Sequence, residues 1–556
     1  MRAAWLVLAA AAACAGADAR RELGREGPRL VVLVVVDQLP TWIFDKRLSS
    51  LPQDGGFRRV LRDGVYFSNA LLPYAATSTS TGHAALTSGA PPVVSGIIGN
   101  KWFDREAGVE IEVVEDARQP LLEQAGGEGQ LAGASPARLE VESVGDALER
   151  ATGGRARAVS VSLKSRAAIL MGGRRPTRAV WYEKSPPMFT TSRYYGERLP
   201  DWLTALARAH PIAPRLAHYR WTPRDPAALA RATGLPDRSP AEPGKYGLGS
   251  SFPHVPSEAE HPESALVATP LADELVLEAA LAAQSGEQLG RDAVPDLLCV
   301  SFSAHDHIGH GWGLESWEST DQFARLDGVL ARFFAALDAR VGRGRWALVL
   351  TSDHGGTAVP EHSGGAHVDP DRFAAPLEEA ARAVAGEGDW IAFVHEQWIY
   401  LSPAARALPG ATRDALLDAL VAALRRQPGV AVALRTDSVR GGCERRSGIA
   451  ALVCRAAHPR AGEIFWAPPP GSVAMKLPWD ATNHISPNRF DRAVPLAVVA
   501  PGLRPRRVDG AVSTLQVAPT LARLLGIPPP RASTAPDLLG GAGPSSTAPA
   551  RTGRHR

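Results

Sequence analysis

Cysteine is scarce in this chain, with 4 in 556 residues and no closely spaced pairs. A thiolate metal site is thereby excluded, and any metal must be held by imidazole and carboxylate. A surplus of one charge is missing too: 61 Lys and Arg face 58 Asp and Glu, and no block of like charge points to a nucleic-acid partner. Beyond the first residues, no segment reaches the roughly 18 to 20 uninterrupted apolar residues that span a bilayer, so no transmembrane segment is expected in the mature chain. Disorder is not expected overall, because 45% hydrophobic against 21% charged residues gives ample material for a large core. No internal repeat is visible. We read one elaborated domain over 20–527, while oligomeric state leaves no trace in the sequence.

The two ends differ from this body. Arg2 precedes an apolar stretch from Ala3 to Ala15, followed by Ala17-Asp18-Ala19, a small-x-small cleavage pattern. Residues 1–19 therefore read as a signal peptide, and the protein as periplasmic or secreted. A lipid anchor at Cys14 is the weaker reading, because Ala11 stands where a larger aliphatic residue is usual. Export makes disulfides relevant: Cys443 and Cys454 are near enough to close a small loop, while Cys299, inside the apolar run Leu297 to Phe302, reads as a buried free thiol. Residues 528–556 are dense in Pro, Ala, Ser, Thr and Gly and read as a flexible tail.

Between the ends, Leu30 to Val36, Leu297 to Phe302 and Trp346 to Leu350 are continuous apolar runs, the pattern of strands covered on both faces of a parallel sheet. They end at Asp37, at Ser303-Ala304-His305-Asp306 and at Thr351-Ser352-Asp353-His354. Ligands gather at the carboxyl ends of such strands. Phe323, Leu326, Leu330, Phe333, Leu337 and Val341 recur at helical spacing and predict a crossover helix. The Pro- and Arg-rich stretches Ala213 to Pro256 and Pro360 to Ala375 read as loops or cap insertions.

Two motifs suit zinc. Asp306 and His310 lie four residues apart, and Asp353-His354 is an adjacent carboxylate and imidazole. Either motif alone reads equally well as a hydrogen-bonded structural histidine, but together at strand ends they favour a metal, and His484 can complete a three-ligand set. Thr79 lies in Thr77-Ser78-Thr79-Ser80-Thr81-Gly82-His83, a loop running into a helix, where free N–H groups favour an alkoxide or a phosphoryl oxygen. An ordinary helix cap fits the same residues.

Six stretches, in order, give the chain a resemblance: Val34 to Gln38, Thr79 to His83, Gly96 to Trp102, Ser162 to Leu170, Ser303 to His310 and Thr351 to Gly355. The sequence resembles the PafA type of alkaline phosphatase, in the superfamily that also holds nucleotide pyrophosphatase/phosphodiesterases and sulfatases. The resemblance implies an α/β fold, a mostly parallel sheet flanked by helices with cap insertions. It implies two Zn2+, one at Asp306, His310 and His484, the other at Asp37, Asp353, His354 and Thr79. It makes Thr79 the nucleophile that becomes a phosphothreonine, and gives Asn100, Lys164 and Arg166 the phosphoryl oxygens. Phosphate monoesters are the implied substrates, because the Lys and Arg pair is usually lacking in the phosphodiesterase branch. A phosphodiesterase, or a non-catalytic phosphate-binding relative, are the alternatives. A sulfatase would need a Cys/Ser-x-Pro-x-Arg signature that is not found at Thr79. His83 reads as structural, and His305 and His307 as bystanders.

Overall fold

The computed structural model describes residues 27–123, 132–476 and 480–540. The expected signal peptide and Cys14 lie outside the described residues. Ten strands form the main sheet: β1 (Leu30–Val36), β2 (Val65–Leu71), β3 (Ala158–Ser162), β4 (Arg178–Lys184), β5 (Pro187–Thr190), β6 (Asp296–Phe302), β7 (Trp346–Thr351), β8 (Ala493–Val499), β9 (Arg506–Val508) and β10 (Val512–Ser513). Their order is β9-β2-β8-β7-β1-β6-β3-β4-β5, with β10 also on β2. The sheet is mostly parallel, with β8 antiparallel to β7 and β2, and β5 antiparallel to β4. The three runs expected to be strands are the central ones, β7-β1-β6.

Every residue of β1 is fully buried, which explains its unbroken Val and Leu composition. Leu30, Val32, Val34 and Val36 pack toward the helices α3 (Pro270–Gly286) and α5 (Trp317–Leu337). Val31, Leu33 and Val35 point the other way, into a core shared with α1 (Thr79–Ser88), α2 (Ser165–Gly172) and α6 (Val517–Leu525). The expected crossover helix is α5: Phe323, Leu326, Leu330, Phe333 and Leu337 are all buried along one stripe, and the helix is capped by Ser316 Oγ accepting from Ser319 N. Val341 falls beyond it, in a wider turn over Asp338–Gly342.

A second layer covers the carboxyl-end loops. Ile391–Val394, Trp398–Leu401, Ile464–Ala467 and Val432–Arg435 form an antiparallel sheet in that order. The helices Ala374–Ala385 and Gly410–Arg425 bury Leu377, Leu416 and Leu420 against Trp466 and Ile399. The stretch around 213–256 contributes only two short helices, Ile212–His218 and Pro226–Thr233, between irregular segments. Cys443 and Cys454 are disulfide-bonded, with Cα atoms 5.6 Å apart, and Cys299 is a buried free thiol.

The tail differs from expectation where it is described. Leu538 is buried in the α6 core, its N–H donates to Thr520 Oγ1 at 2.9 Å, and Asp537 pairs with Arg523 at 3.3 Å. Composition hid this because one Leu and one Asp suffice to anchor a short segment. Residues 541–556 lie outside the described residues. Among the described residues, no helix is long and apolar enough to cross a membrane.

Candidate active site

Parallel register brings the acidic strand ends level: Val36 lies opposite Phe302 and Val35 opposite Thr351. Asp37 therefore emerges beside Asp353 and beside the start of the helix α4 (Ala304–Trp312), which carries Asp306 and His310 one turn apart. Gln38 adopts φ 60°, an uncommon conformation for a residue with a side chain, and this turns the chain so that its N–H reaches Asp353 Oδ1 at 3.2 Å. Gly82 on α1 lies against the same loop, where a Cβ would stand 2.2 Å from the Asp353 carbonyl oxygen.

Two groups of donors result: Asp37, Asp353 and His354, and Asp306, His310 and His484. In each, the donor atoms lie within 4.8 Å of one another. The edges of these groups test their fit to a metal. His310 Nε2 and His484 Nε2 are 3.3 and 3.6 Å from Asp306 Oδ1, and His354 Nε2 is 3.5 Å from Asp37 Oδ1 and 3.4 Å from Asp353 Oδ2. Tetrahedral zinc with bonds of about 2.0–2.1 Å sets neighbouring donors about 3.3 Å apart. All three imidazoles also donate through Nδ1 to a backbone carbonyl, His310 to Thr482 (2.9 Å), His484 to Thr77 (2.7 Å) and His354 to Gly355 (2.9 Å). Each Nε2 lone pair is thus turned toward the carboxylates. Asp37 Oδ1, Asp306 Oδ1, Asp353 Oδ2 and His354 Nε2 are buried and accept no hydrogen bond within the protein. These residues fit metal ions.

Electrostatics agree. Burial, then the neighbouring Asp353, pushes the Asp37 carboxyl up to about 7 against the pull of Lys164. Three buried carboxylates face one ammonium, so the pocket lacks positive charge. Lys164, at the cap of α2, reaches between the groups: its Nζ is 2.7 Å from Asp37 Oδ2, 2.5 Å from Asp306 Oδ2 and 3.3 Å from Thr79 Oγ1. Burial pulls this ammonium down, but Asp306 and Asp37 outweigh it and hold it above the ordinary lysine value.

The hydroxyls around Thr79 are sorted by their partners. Ser78 precedes the helix and its N–H donates to Thr81 Oγ1, which itself donates to Ala76 O; Ser80 Oγ and N both donate to Asn100 Oδ1, at 2.8 and 3.0 Å. Capping thus falls to Ser78 and Thr81, while Thr79 Oγ1 faces Lys164. Anchoring of Asn100 through Oδ1 leaves its Nδ2 as a donor to the cleft. This cleft of about 440 Å³ is lined by Asn100, Arg166, His310, His484 and the cap residues Glu396 and Lys476, and Arg166 Nε is buried within it without a protein partner.

All the sequence-predicted site residues are gathered here. His83 stands behind them: its Nδ1 is 2.8 Å from Thr79 O and 3.2 Å from Asp353 Oδ2, and its Nε2 is 2.9 Å from Ser301 Oγ. His305 faces Arg47 and His307 faces Tyr246, outside both groups. Sequence reasoning missed the supporting partners Thr77, Thr482 and Ser301. For Thr77 its place two residues before Thr79 was a usable signal; for the other two there was none.

Known proteins are similar to this chain in sequence and fold. The family model for type I phosphodiesterase / nucleotide pyrophosphatase matches residues 31–489. Alkaline phosphatase PhoV of Synechococcus elongatus is 30% identical, covering 91% of each chain, and alkaline phosphatase PafA of Elizabethkingia meningoseptica is 29% identical over 90% of this chain and 92% of its own. A crystal structure of wild-type PafA superposes with a TM-score of 0.84 at 27% identity, covering 92% of this chain and 98% of that one. The chain belongs to the type I phosphodiesterase / nucleotide pyrophosphatase family, with the fold of the alkaline phosphatase superfamily. Within it, it is a phosphatase of the kind that PhoV and PafA represent.

Proposed function

We propose that the protein is an exported alkaline phosphatase that holds two Zn2+ and hydrolyses phosphate monoesters through a phosphothreonine at Thr79. The observation that carries this reading is that Lys164 Nζ joins one carboxylate of each donor group, Asp37 and Asp306, to the Thr79 hydroxyl, 3.3 Å away. Asp306, His310 and His484 hold one ion, and Asp37, Asp353, His354 and Thr79 the other. Bound there, two cations supply charge that stabilises the attacking and leaving oxygens of an in-line displacement.

The chain's own groups do the rest. Thr79 Oγ attacks phosphorus as the bond to the ester oxygen breaks, and the alcohol leaves with a proton. Water then cleaves the bond between phosphorus and Thr79 Oγ, releasing inorganic phosphate and restoring the hydroxyl. Asn100 Nδ2, the Arg166 guanidinium and Lys164 donate to the non-bridging oxygens, Arg by a planar fork and Lys as a point charge. With three carboxylates against Lys164 and Arg166, two divalent ions leave the pocket positive, which matches a dianionic monoester better than a monoanionic diester. Export is supported by the Cys443–Cys454 disulfide, a bond that persists in oxidising compartments.

The family match favours one rival, a phosphodiesterase. Assaying the purified protein on an aryl phosphate monoester and the corresponding diester separates the two, and a preference for the diester would overturn monoesterase. Thr79→Ala should keep both metals yet lose nearly all turnover, Thr79→Ser should keep a fraction, and Ser80→Ala and Thr81→Ala should keep substantial activity. A phosphorylated peptide or a burst surviving in Thr79→Ala would place the chemistry elsewhere.

A further inference from the structure

His484 differs from the other donors in where it sits. Asp37, Asp306, His310, Asp353 and His354 follow strands or lie on α4, but His484 lies in an irregular segment between residues 480 and 488. No ladder or helix fixes its backbone, yet only 3% of its surface is exposed. Two side chains hold it: Asn483 Oδ1 accepts from His484 N at 2.8 Å while Asn483 Nδ2 donates to Ala474 O at 2.8 Å, and Thr77 ties the segment to the loop before α1. Thr77 Oγ1 donates to His484 O at 2.6 Å and lies 3.0 Å from Ser486 O, and it accepts from Ser486 N at 3.1 Å. Thr77 O, in turn, accepts from His484 Nδ1 at 2.7 Å. Thr77 is fully buried, so no solvent competes for these bonds.

The far end of the segment is tied as well. Ser486 Oγ donates to Asp491 Oδ2 at 2.5 Å, and Asp491 Oδ1 accepts from Thr357 Oγ1 at 2.9 Å. Of the hydrogen bonds to His484 and Ser486, those of Thr77, through its hydroxyl and its carbonyl, come from the loop that carries Thr79, two residues further on.

We infer that Thr77 is a positioning residue that builds the third corner of the Asp306–His310–His484 group, locking that group to the nucleophile's loop. This inference rests on the two-zinc reading. Its hydroxyl sets both the height of His484, through the backbone carbonyl, and, with the adjacent Thr77 carbonyl, the direction of the Nε2 lone pair. Partners of this kind are worth about 10- to 100-fold in metal affinity. The loss is specific to one ion, because Thr77 makes no contact with Asp37, Asp353 or His354 among the hydrogen bonds and ion pairs of the described residues.

The test is zinc affinity measured by chelator competition on the full-length protein, independent of turnover. Wild type should bind two ions; fewer would defeat the two-zinc reading itself, an outcome visible before any variant is compared. Thr77→Val should weaken one ion by about 10- to 100-fold and leave the other unchanged. The weakened ion should be the one lost in His484→Ala, and Thr77→Ser should restore wild-type affinity. Unchanged affinity for both ions in Thr77→Val, or equal weakening of both, would overturn the inference. Should Thr77→Val not fold, Thr77→Ala decides in its place, since it too removes the hydroxyl and leaves the backbone carbonyl: weakening confined to the His484 ion supports the inference, and no change in either ion overturns it.

Discussion

Lys164 and Arg166 are two positions apart at the start of α2, but they meet the site differently. The Lys164 ammonium bridges Asp37 and Asp306, whereas Arg166 lines the cleft with its Nε buried and unpartnered. In the proposed monoesterase reaction both would meet the third non-bridging oxygen, which carries the charge that a diester lacks. Replacing both with Ala should therefore lower monoester kcat/KM by on the order of 10²-fold or more, the scale for removing charged donors from a preorganised site, and diester kcat/KM much less. Comparing the two substrates on the same preparation checks this. Equal losses would mean that these cations assemble the site without selecting the substrate.

At the level of elements, the strands and helices that carry chemistry were the legible ones. Leu30–Val36, Leu297–Phe302 and Trp346–Leu350 announce themselves by unbroken apolar composition, and each runs into a chemically distinctive acidic or imidazole-bearing turn. The cap was not legible. Trp398–Leu401 and Ile464–Ala467 are each only four residues long, and they pair across more than sixty intervening residues through Trp398 opposite Phe465. Short aromatic runs of this kind look alike whether they pair, pack or pass through. His484, in its irregular segment, was legible from the residues only as a histidine able to complete a ligand set, and the family likeness assigned it to Asp306 and His310, because its support from Thr77 comes about four hundred residues earlier in sequence.

The disulfide belongs to this scale too, since it closes an 11-residue separation and ties the helix Gly448–Ala456 to the turn before it. That helix accepts Ala75 N–H at Leu452 O, 3.1 Å away, just upstream of the loop that carries Thr79. Loop-closure entropy for so short a loop is worth about 3 kcal/mol. The Cys443→Ser/Cys454→Ser variant should melt at a lower temperature than wild type in oxidising buffer and at the same temperature as wild type after reduction. A variant with unchanged melting in both conditions would show that the cap holds this helix without the bond.

The molecule as a whole also carries acid groups that the chemistry does not use. Glu242, in the irregular segment before α3, is 2% exposed, and neither carboxylate oxygen has a protein partner. Burial first, then Glu318 and Asp237 nearby, pushes its carboxyl up to about 9. Proton counting gives the sign. Between the unfolded value near 4.5 and the folded value near 9, the folded chain holds a proton on Glu242 that the unfolded chain has lost, so stability falls as pH rises through that window. This is opposite to the usual salt-bridged carboxylate, and it penalises the fold where an alkaline phosphatase would be asked to work. Glu242→Gln keeps the shape of the neutral acid but cannot ionise. Melting temperatures of the zinc-loaded protein should therefore coincide for wild type and Glu242→Gln at pH 5 and diverge toward pH 9, with the variant higher by a few degrees. Parallel curves across that range would mean that Glu242 is ionised in the fold at neutral pH and neutralised by groups other than its own proton.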